Sequence, residues 1–191
     1  MIDDASYIWN DVDGRGRNRY VLFRRTFDLS RMPARARIDI FADTRYRLIV
    51  NGTTVGHGPV RFYSSHPTYS SHDLIRRLRS GENVLAVVVN SYDAISFHSH
   101  LSRGGLIADL EMETAGGELI NVPTDETWRC IESPGHRRET LPLSFALNPG
   151  EQVDFTEMPE EWDRPGFDDG TWERATIVDD ADHWGALRPS P

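Results

Sequence analysis

The segment that most restricts the fold runs from residue 41 to residue 90. At positions 45–50, Tyr, Leu and Val alternate with Arg, Arg and Ile, which is the period-two pattern of a strand with one buried face. Asn51-Gly52 follows at once, and both residue types tolerate the positive φ angle of a tight hairpin turn. Positions 84–89 are apolar throughout, so we expect a central strand that is covered on both faces.

The remainder of the chain repeats strand-like patterns without one long helical segment. About eight strands are expected, at the ~8–12-residue spacing that is typical of antiparallel sandwiches. Asp73 is expected to cap a single helical turn that Gly81 ends, and Gly116-Gly117 predicts a hairpin. Residues 106–113 alternate cleanly, which predicts a half-exposed strand. We therefore predict an all-β fold, an antiparallel β-sandwich of the jelly-roll class.

Four stretches of the sequence resemble a known family. Residues 46–59 read Y-x-L-x-V-N-G-x-x-V-G-x-G-P, and residues 73–87 read D-L-I-x-x-L-x-x-G-x-N-V-L-A-V. Two shorter pieces are T-D-E-T-W-R at 124–129 and G-F-D-D-G-x-W-x-x-A at 166–175. Together they resemble the accessory β-sandwich domains that precede the catalytic module in family 78 α-L-rhamnosidases. A looser resemblance is to the jelly-roll domains of the β-galactosidase family.

The resemblance implies a galactose-binding-domain-like sandwich without catalytic residues, because the family places its catalytic acid and base in a separate helical barrel. The implied function is that of an accessory or carbohydrate-binding-type domain, which packs against a catalytic module or presents substrate to it. One alternative is a free-standing carbohydrate-binding protein. Another is a small hydrolase that uses the acidic C-terminal segment, since glycoside hydrolysis needs two carboxylates. Its candidate acids are Glu157, Glu160, Glu161, Asp168 and Asp169.

The chain is expected to form one domain. Residues 1–191 would be a single sandwich in which residues 133–150, punctuated by Pro and Gly, are a loop. Residues 151–191 would form a C-terminal extension that packs on the sandwich or leads to a further domain. By the resemblance, Phe167 and Trp172 would anchor this extension on the sandwich.

The polar segment 57–69 and the loop that follows the central strand carry the candidate binding residues. They combine aromatic, Arg, His and hydroxyl side chains, which grip sugars by stacking and by hydrogen bonds. The candidate ligand-binding residues are Arg61, Tyr63, His66, Asp93, His98 and His100. The aromatic residues have a structural interpretation too, as cover for an edge of the sandwich. His98 and His100 would lie on one side of a strand, but no third ligand accompanies them, and no metal or cofactor is expected.

Composition restricts the partners. The net charge is −9, yet residues 1–95 hold 14 Arg against 10 acidic residues, whereas residues 96–191 hold 7 against 20. The arginines of the first half alternate along strands, as at Arg35, Arg37, Arg45 and Arg47. We interpret them as solvated outer faces and expect no nucleic-acid partner. The expected partners are a glycan that contains rhamnose or galactose, and a catalytic module.

Two further features concern location and chemistry. Cys130 is the only cysteine, which excludes an internal disulfide, and its alternation with Trp128 predicts a buried thiol. No apolar run approaches the ~20 residues of a membrane-spanning helix, and the N-terminal residues do not resemble a signal peptide. We therefore expect a cytoplasmic location and no membrane partner.

Overall fold

The computed structural model describes residues 2–142, 144–178 and 183–190, and these residues form a β-sandwich without an α-helix. A 3₁₀ turn, Ile2–Asp4, precedes the first strand. The strands are β1 (Ile8–Trp9), β2 (Arg19–Leu29), β3 (Arg35–Asp43), β4 (Arg45–Val50), β5 (Thr53–Gly58), β6 (Thr68–Asp73), β7 (Gly81–Ser91), β8 (Gly105–Glu113), β9 (Leu119–Pro123), β10 (Arg129–Glu132), β11 (Glu173–Arg174), β12 (Thr176–Ile177) and β13 (Arg188–Pro189).

Within these ranges the strands build two sheets. The six-stranded sheet has the order β11-β10-β2-β7-β4-β5. The seven-stranded sheet has the order β12-β1-β8-β3-β6-β13, with β9 also paired to β8. Neighbouring strands are antiparallel except β13, which runs parallel to β6. The prediction of an antiparallel β-sandwich is confirmed.

The central strand and the hairpin beside it form as the sequence predicts. Strand β7 lies between β2 and β4, and its side chains are buried on both faces from Asn83 onward. Leu85 and its alternate neighbours face the core between the sheets, whereas Val84, Ala86 and Val88 lie on the outer face of the sheet. Asn51 and Gly52 join β4 to β5 with φ angles of 50° and 78°.

The core between the sheets is rich in aromatic side chains. The largest fully buried rings are those of Trp9, Phe23, Phe41 and Trp128. Tyr7 and Trp184 stack with ring centroids 4.2 Å apart, so the C-terminal residues contribute to the same core. Cys130 is buried as predicted, and burial raises the pKa of its thiol to about 12.

The C-terminal segment covers one half of the outer face of the six-stranded sheet. Trp162 and Trp172 are buried there against Leu22 and Ile49, and Phe167 packs beside them. Residues 179–182 and 191 of the predicted extension lie outside the described residues. The C-terminal segment does not cover the other half of this face, and the candidate site lies there.

Asp73 caps a single helical turn as predicted, but Gly81 does not end it. Asp73 accepts a hydrogen bond from the backbone N–H of Ile75 at 2.9 Å, and the backbone N–H groups of Arg77 and Leu78 both donate to the carbonyl of Leu74. Gly81 has the expected left-handed conformation, with a φ of 84°, but it begins β7. The reason is that the side chain of Asn83 hydrogen-bonds the carbonyl of Arg79 at 2.7 Å, which turns the backbone into the strand.

Strand β8 also differs from its predicted half-exposed pattern. Ile107 and Asp109 are buried, although they alternate with the core-facing residues. The 3₁₀ turn Ile2–Asp4 packs against β8, so part of its outer face is covered. In the described part of the chain, no helix is long and apolar enough to cross a membrane.

Candidate functional site

Three loops meet at the end of the sandwich where β7 leads into β8. They are residues 59–67, 92–104 and 133–152. The hydroxyl of Ser99 donates a hydrogen bond to Asn148 Oδ1 at 2.7 Å, and Ser64 Oγ lies 2.7 Å from His100 Nε2. These bonds join the loops to each other, so the surfaces they present are held on a rigid scaffold.

A cleft of about 580 Å³ opens beside these loops, on the part of the six-stranded sheet that the C-terminal segment leaves uncovered. Strands β2, β4 and β7 supply the floor, and residues 57–59 and 147–151 supply two walls. The lining includes Tyr20, Arg45, Arg47, His57, Val88, Asn90, Tyr92, His98, Asn148 and Glu151. We refer to this feature as the sheet cleft.

The strand register explains why two arginines share the sheet cleft. Arg47 of β4 lies opposite Val88 of β7 on one side and His57 of β5 on the other. Arg45 is two residues earlier, opposite Asn90. Because side chains alternate along a strand, both arginines project from the same face, with Cα atoms about 7 Å apart.

The charges in the sheet cleft are unbalanced. Neither Arg45 nor Arg47 forms an ion pair with any described residue, and Arg47 Nε is buried without a hydrogen-bond partner there. The guanidinium carbon of Arg45 lies 5.5 Å from the ring centroid of Tyr92. Glu151 is the one acidic residue among those that line the cleft, and its Oε1 lies 3.2 Å from His136 Nε2.

Burial disfavours the charged forms of the neighbouring aromatic groups. It raises the pKa of the Tyr20 and Tyr92 hydroxyls, and it lowers the pKa of His136. His136 stacks on Tyr20 with ring centroids 4.1 Å apart. Within the described residues, the hydroxyls of Tyr20 and Tyr92 form no hydrogen bond, so each remains able to donate one to a ligand.

All six candidate residues from the sequence lie in two of these loops, 59–67 and 92–104. Arg61, His98 and His100 line a smaller pocket of about 90 Å³, and His98 also lines the sheet cleft. Tyr63 is 66% exposed and stacks on His100 with ring centroids 6.1 Å apart. His66 is exposed, and its backbone N–H donates a hydrogen bond to the carbonyl of Tyr63. A ligand-binding role for these residues remains a prediction.

Asp93 contacts the residues that precede β2. It accepts a hydrogen bond from the backbone N–H of Gly16 at 3.0 Å and lies 3.3 Å from Arg15 Nη1. It does not line the sheet cleft or the smaller pocket. The prediction that His98 and His100 share one side of a strand is wrong, because residues 92–104 form a loop.

Sequence reasoning missed the two arginines of the sheet cleft. Arg35 and Arg45 are exposed, as their interpretation as solvated residues expects, but Arg47 is half-buried, and Arg45 and Arg47 both line the sheet cleft. Their spacing of two residues before a predicted turn is a weak signal for a shared face. The walls come from residues about 100 positions away, and no local pattern identifies them.

An apolar patch borders the sheet cleft. Loops 92–104 and 133–152 expose six large hydrophobic side chains, namely Ile95, Phe97, Leu101, Leu141, Phe145 and Leu147. Phe145 is 91% exposed, and its ring centroid lies 6.1 Å from that of Phe97. The backbone N–H of Phe97 also donates to the carbonyl of Ala146. We refer to these six residues as the apolar patch.

Among the candidate acidic residues of the C-terminal segment, all but the exposed Glu160 have contacts within the domain. Asp169 pairs with Arg24, Glu157 with Arg137, and Glu161 with Arg164. Asp168 accepts a hydrogen bond from the backbone N–H of Gly170 at 2.9 Å. The residues that the structure describes contain no group of three or more His, Cys, Asp or Glu side chains that could hold a metal ion.

Comparisons with known proteins agree with this geometry. The family model for the α-L-rhamnosidase N-terminal domain matches residues 31–188. The crystal structure of a GH78 family rhamnosidase of Bacillus sp. GL1 is similar with a TM-score of 0.88 and 35% sequence identity, over 97% of this chain and 20% of that chain. An α-L-rhamnosidase of Streptomyces avermitilis is 28% identical over 149 residues, which are 73% of this chain and 14% of the relative.

A lectin of Pleurotus ostreatus has the same fold. It is similar with a TM-score of 0.69 and 23% identity, over 100% of this chain and 47% of that chain, and this likeness concerns the fold alone. The chain thus spans about a fifth or less of the rhamnosidases that it matches. The family match covers most of the chain, from β3 to β13. The chain belongs to the family of α-L-rhamnosidase N-terminal domains.

Proposed function

We propose that this domain is a non-catalytic accessory unit of an α-L-rhamnosidase-type glycoside hydrolase and that it docks on the catalytic module through the apolar patch. The observation that carries the proposal is the exposure of six large hydrophobic side chains on two adjoining loops. Contiguous apolar surface of this kind marks contact sites with other proteins, because burying it removes apolar area from water.

The choice of a catalytic module as the partner of the apolar patch rests on the length of the similar rhamnosidases. The similar rhamnosidases are about five times longer than this chain or more, so a matching domain has a large neighbour in each of those proteins. The loops that form the patch are hydrogen-bonded to each other, which lowers the conformational entropy that docking would remove. A rigid apolar face beside an open cleft supports a domain that adjoins a catalytic module and helps to orient a glycan there.

The docking proposal is tested with the reading frame that contains this chain. The catalytic module encoded after Pro191 is expressed separately, and its binding to the 191-residue domain is measured by calorimetry. Phe145→Ser and Phe97→Ser should each weaken binding at least ~10-fold, as expected for central apolar contacts. Leu119→Ser is the matched control, because Leu119 is 61% exposed but lies beside the opposite end of β8.

Equal weakening by the control and the patch variants would contradict docking through the patch. A reading frame that stops at Pro191 would contradict docking on a module of the same chain.

A second candidate function is carbohydrate binding by the domain itself. The sheet cleft favours it, since its volume of about 580 Å³ lies within the roughly 300–1,000 Å³ typical of ligand sites. Two arginines that line it, Arg45 and Arg47, have no ion-pair partner among the described residues. The similar lectin of Pleurotus ostreatus is also known in complex with GalNAc. Arg61, Tyr63, His66 and His100 would extend the binding surface from the rim of the cleft.

A further inference from the structure

We propose that the sheet cleft is selective for an anionic sugar, a hexuronate residue whose carboxylate is held between Arg45 and Arg47. This inference rests on the carbohydrate-binding function proposed above and names its ligand class. It concerns one defined surface, formed by β2, β4, β5 and β7 together with residues 147–151.

The first argument is the unpaired positive charge. Arg45 is exposed and Arg47 is half-buried, whereas the two buried arginines, Arg19 and Arg24, have carboxylate partners in Asp11 and Asp169. Arg45 and Arg47 have none among the described residues, although the chain carries a net charge of −9. Two guanidinium groups on one face of a strand match the two oxygens of a carboxylate, which arginine binds in a bidentate manner.

The second argument is the net charge of the side chains that line the sheet cleft. Arg45 and Arg47 contribute two positive charges, and Glu151 contributes one negative charge to the same cleft. The remaining single positive charge suits a monovalent carboxylate.

The third argument concerns the rest of the ligand. The cleft presents further hydrogen-bonding groups around the arginines, including the hydroxyls of Tyr20 and Tyr92 and the imidazole of His57. A hexuronate carries several hydroxyl groups beside its one carboxylate, so its polar groups are complementary to this lining. A simple carboxylate would leave most of these groups without a partner.

The test is calorimetry of the wild-type chain with trigalacturonate, with its fully methyl-esterified form and with trigalactose. The ester preserves the shape of the sugar but removes its charge. We expect saturable binding of trigalacturonate, at least ~10-fold weaker binding of the ester, and weaker binding at high salt. Arg47→Gln should reduce affinity for trigalacturonate roughly 10- to 100-fold, as the loss of charged hydrogen bonds does.

The control variant is Arg35→Gln, which changes an exposed arginine on the other sheet and should leave affinity unchanged. Thermal unfolding of both variants checks that they remain folded. If the ester and trigalactose bind as tightly as the acid, carbohydrate binding stands but anion selectivity is wrong. If none of the three sugars binds, both are wrong. Binding of tri-aspartate or galactose 6-phosphate as tight as that of trigalacturonate would also overturn the assignment to a hexuronate.

Discussion

At the residue scale, the buried side chain of Arg24 joins the six-stranded sheet to the C-terminal segment. It is 2% exposed on the outer face of β2. Its Nε donates a hydrogen bond to the carbonyl of Trp162 at 2.9 Å, and its Nη2 donates to the carbonyl of Arg164 at 3.0 Å. It also pairs with Asp169. One guanidinium group therefore fastens the C-terminal segment to the sheet.

Replacing Arg24 by Met should destabilise the domain although Met fills a similar volume. The change leaves Asp169 and two carbonyl groups without their donor, and we expect the free energy of unfolding to fall by about 2–4 kcal/mol. Urea denaturation followed by circular dichroism measures this. The control Arg35→Met removes only an exposed ion pair and should change stability by less than about 1 kcal/mol. Equal effects of the two variants would contradict the fastening role.

The environment of Asp109 predicts that the stability of the domain depends on pH. Its side chain lies opposite Asp39 on the neighbouring strand, and Oδ1 is buried without a hydrogen-bond partner in the described residues. Burial raises the pKa of the Asp109 carboxyl to about 6, and the charge of Asp4 adds to the rise. Because this pKa exceeds the ordinary value of 3.8, the folded state holds the proton more tightly than the unfolded state. The resulting stabilisation is complete below about pH 4 and is lost as the pH rises through about 6.

The Asp109→Asn variant should therefore gain stability relative to the wild type as the pH is raised from 4 to 7. Urea denaturation at pH 4, 5, 6 and 7 measures the difference in free energy of unfolding between the two proteins. A difference that stays constant over this range would show that Asp109 does not titrate with a raised pKa.

At the scale of elements, the C-terminal segment acts as a third layer over half of the six-stranded sheet. Trp172 is buried between Trp162 and Phe167, with ring centroids 5.9 and 5.7 Å away. These rings cover Ala86 and its neighbours on the central strand, which would otherwise meet water on one face. The boundary of this layer also determines where the sheet cleft begins.

Trp172→Ala should lower the free energy of unfolding by about 3–5 kcal/mol, because it removes a large buried ring and leaves a cavity. Chemical denaturation followed by far-ultraviolet circular dichroism measures the loss. Phe155→Ala is the comparison, since Phe155 belongs to the same segment but is 78% exposed, and its loss should change stability by less than ~0.5 kcal/mol. A small effect of Trp172→Ala would mean that the segment does not stabilise the sheet.

At the scale of the whole molecule, the two proposed binding surfaces do not include the candidate acidic residues of the C-terminal segment. The sheet cleft and the apolar patch adjoin each other at the loop end, and they share Leu147. Three of the candidate acids of the C-terminal segment, Glu157, Glu161 and Asp169, are instead paired with arginines. Asp168 accepts a hydrogen bond from a backbone N–H group, and Glu160 is exposed.

The isolated chain should therefore not hydrolyse 4-nitrophenyl α-L-rhamnoside or the corresponding galactosides. Release of nitrophenolate in the presence of a large excess of the domain is the measurement, and buffer alone is the control. Turnover that disappears in Glu160→Gln or Asp168→Asn would overturn this expectation and favour a small hydrolase.

Much of the fold could be predicted from local pattern. The period-two alternation at residues 45–50, the Asn51-Gly52 turn and the apolar run at 84–89 each depend on neighbouring residues, and each forms as predicted. The family resemblance was also visible in short motifs, because those motifs are turns and strand ends with fixed local geometry. The burial of Cys130 followed from its alternation with Trp128.

The sheet cleft could not be predicted in this way. Arg45 and Arg47 were interpreted as solvated residues, since nothing in the sequence of β4 indicates that residues 147–151 line a cleft together with them. Arg24 likewise gave no sign of its partners, which are about 140 residues away in the chain. A strand pattern predicts which side chains share a face of the strand. Whether that face is buried or exposed depends on which distant segments pack against it. That is a property of the folded chain, and the charges it encloses make the cleft the candidate site.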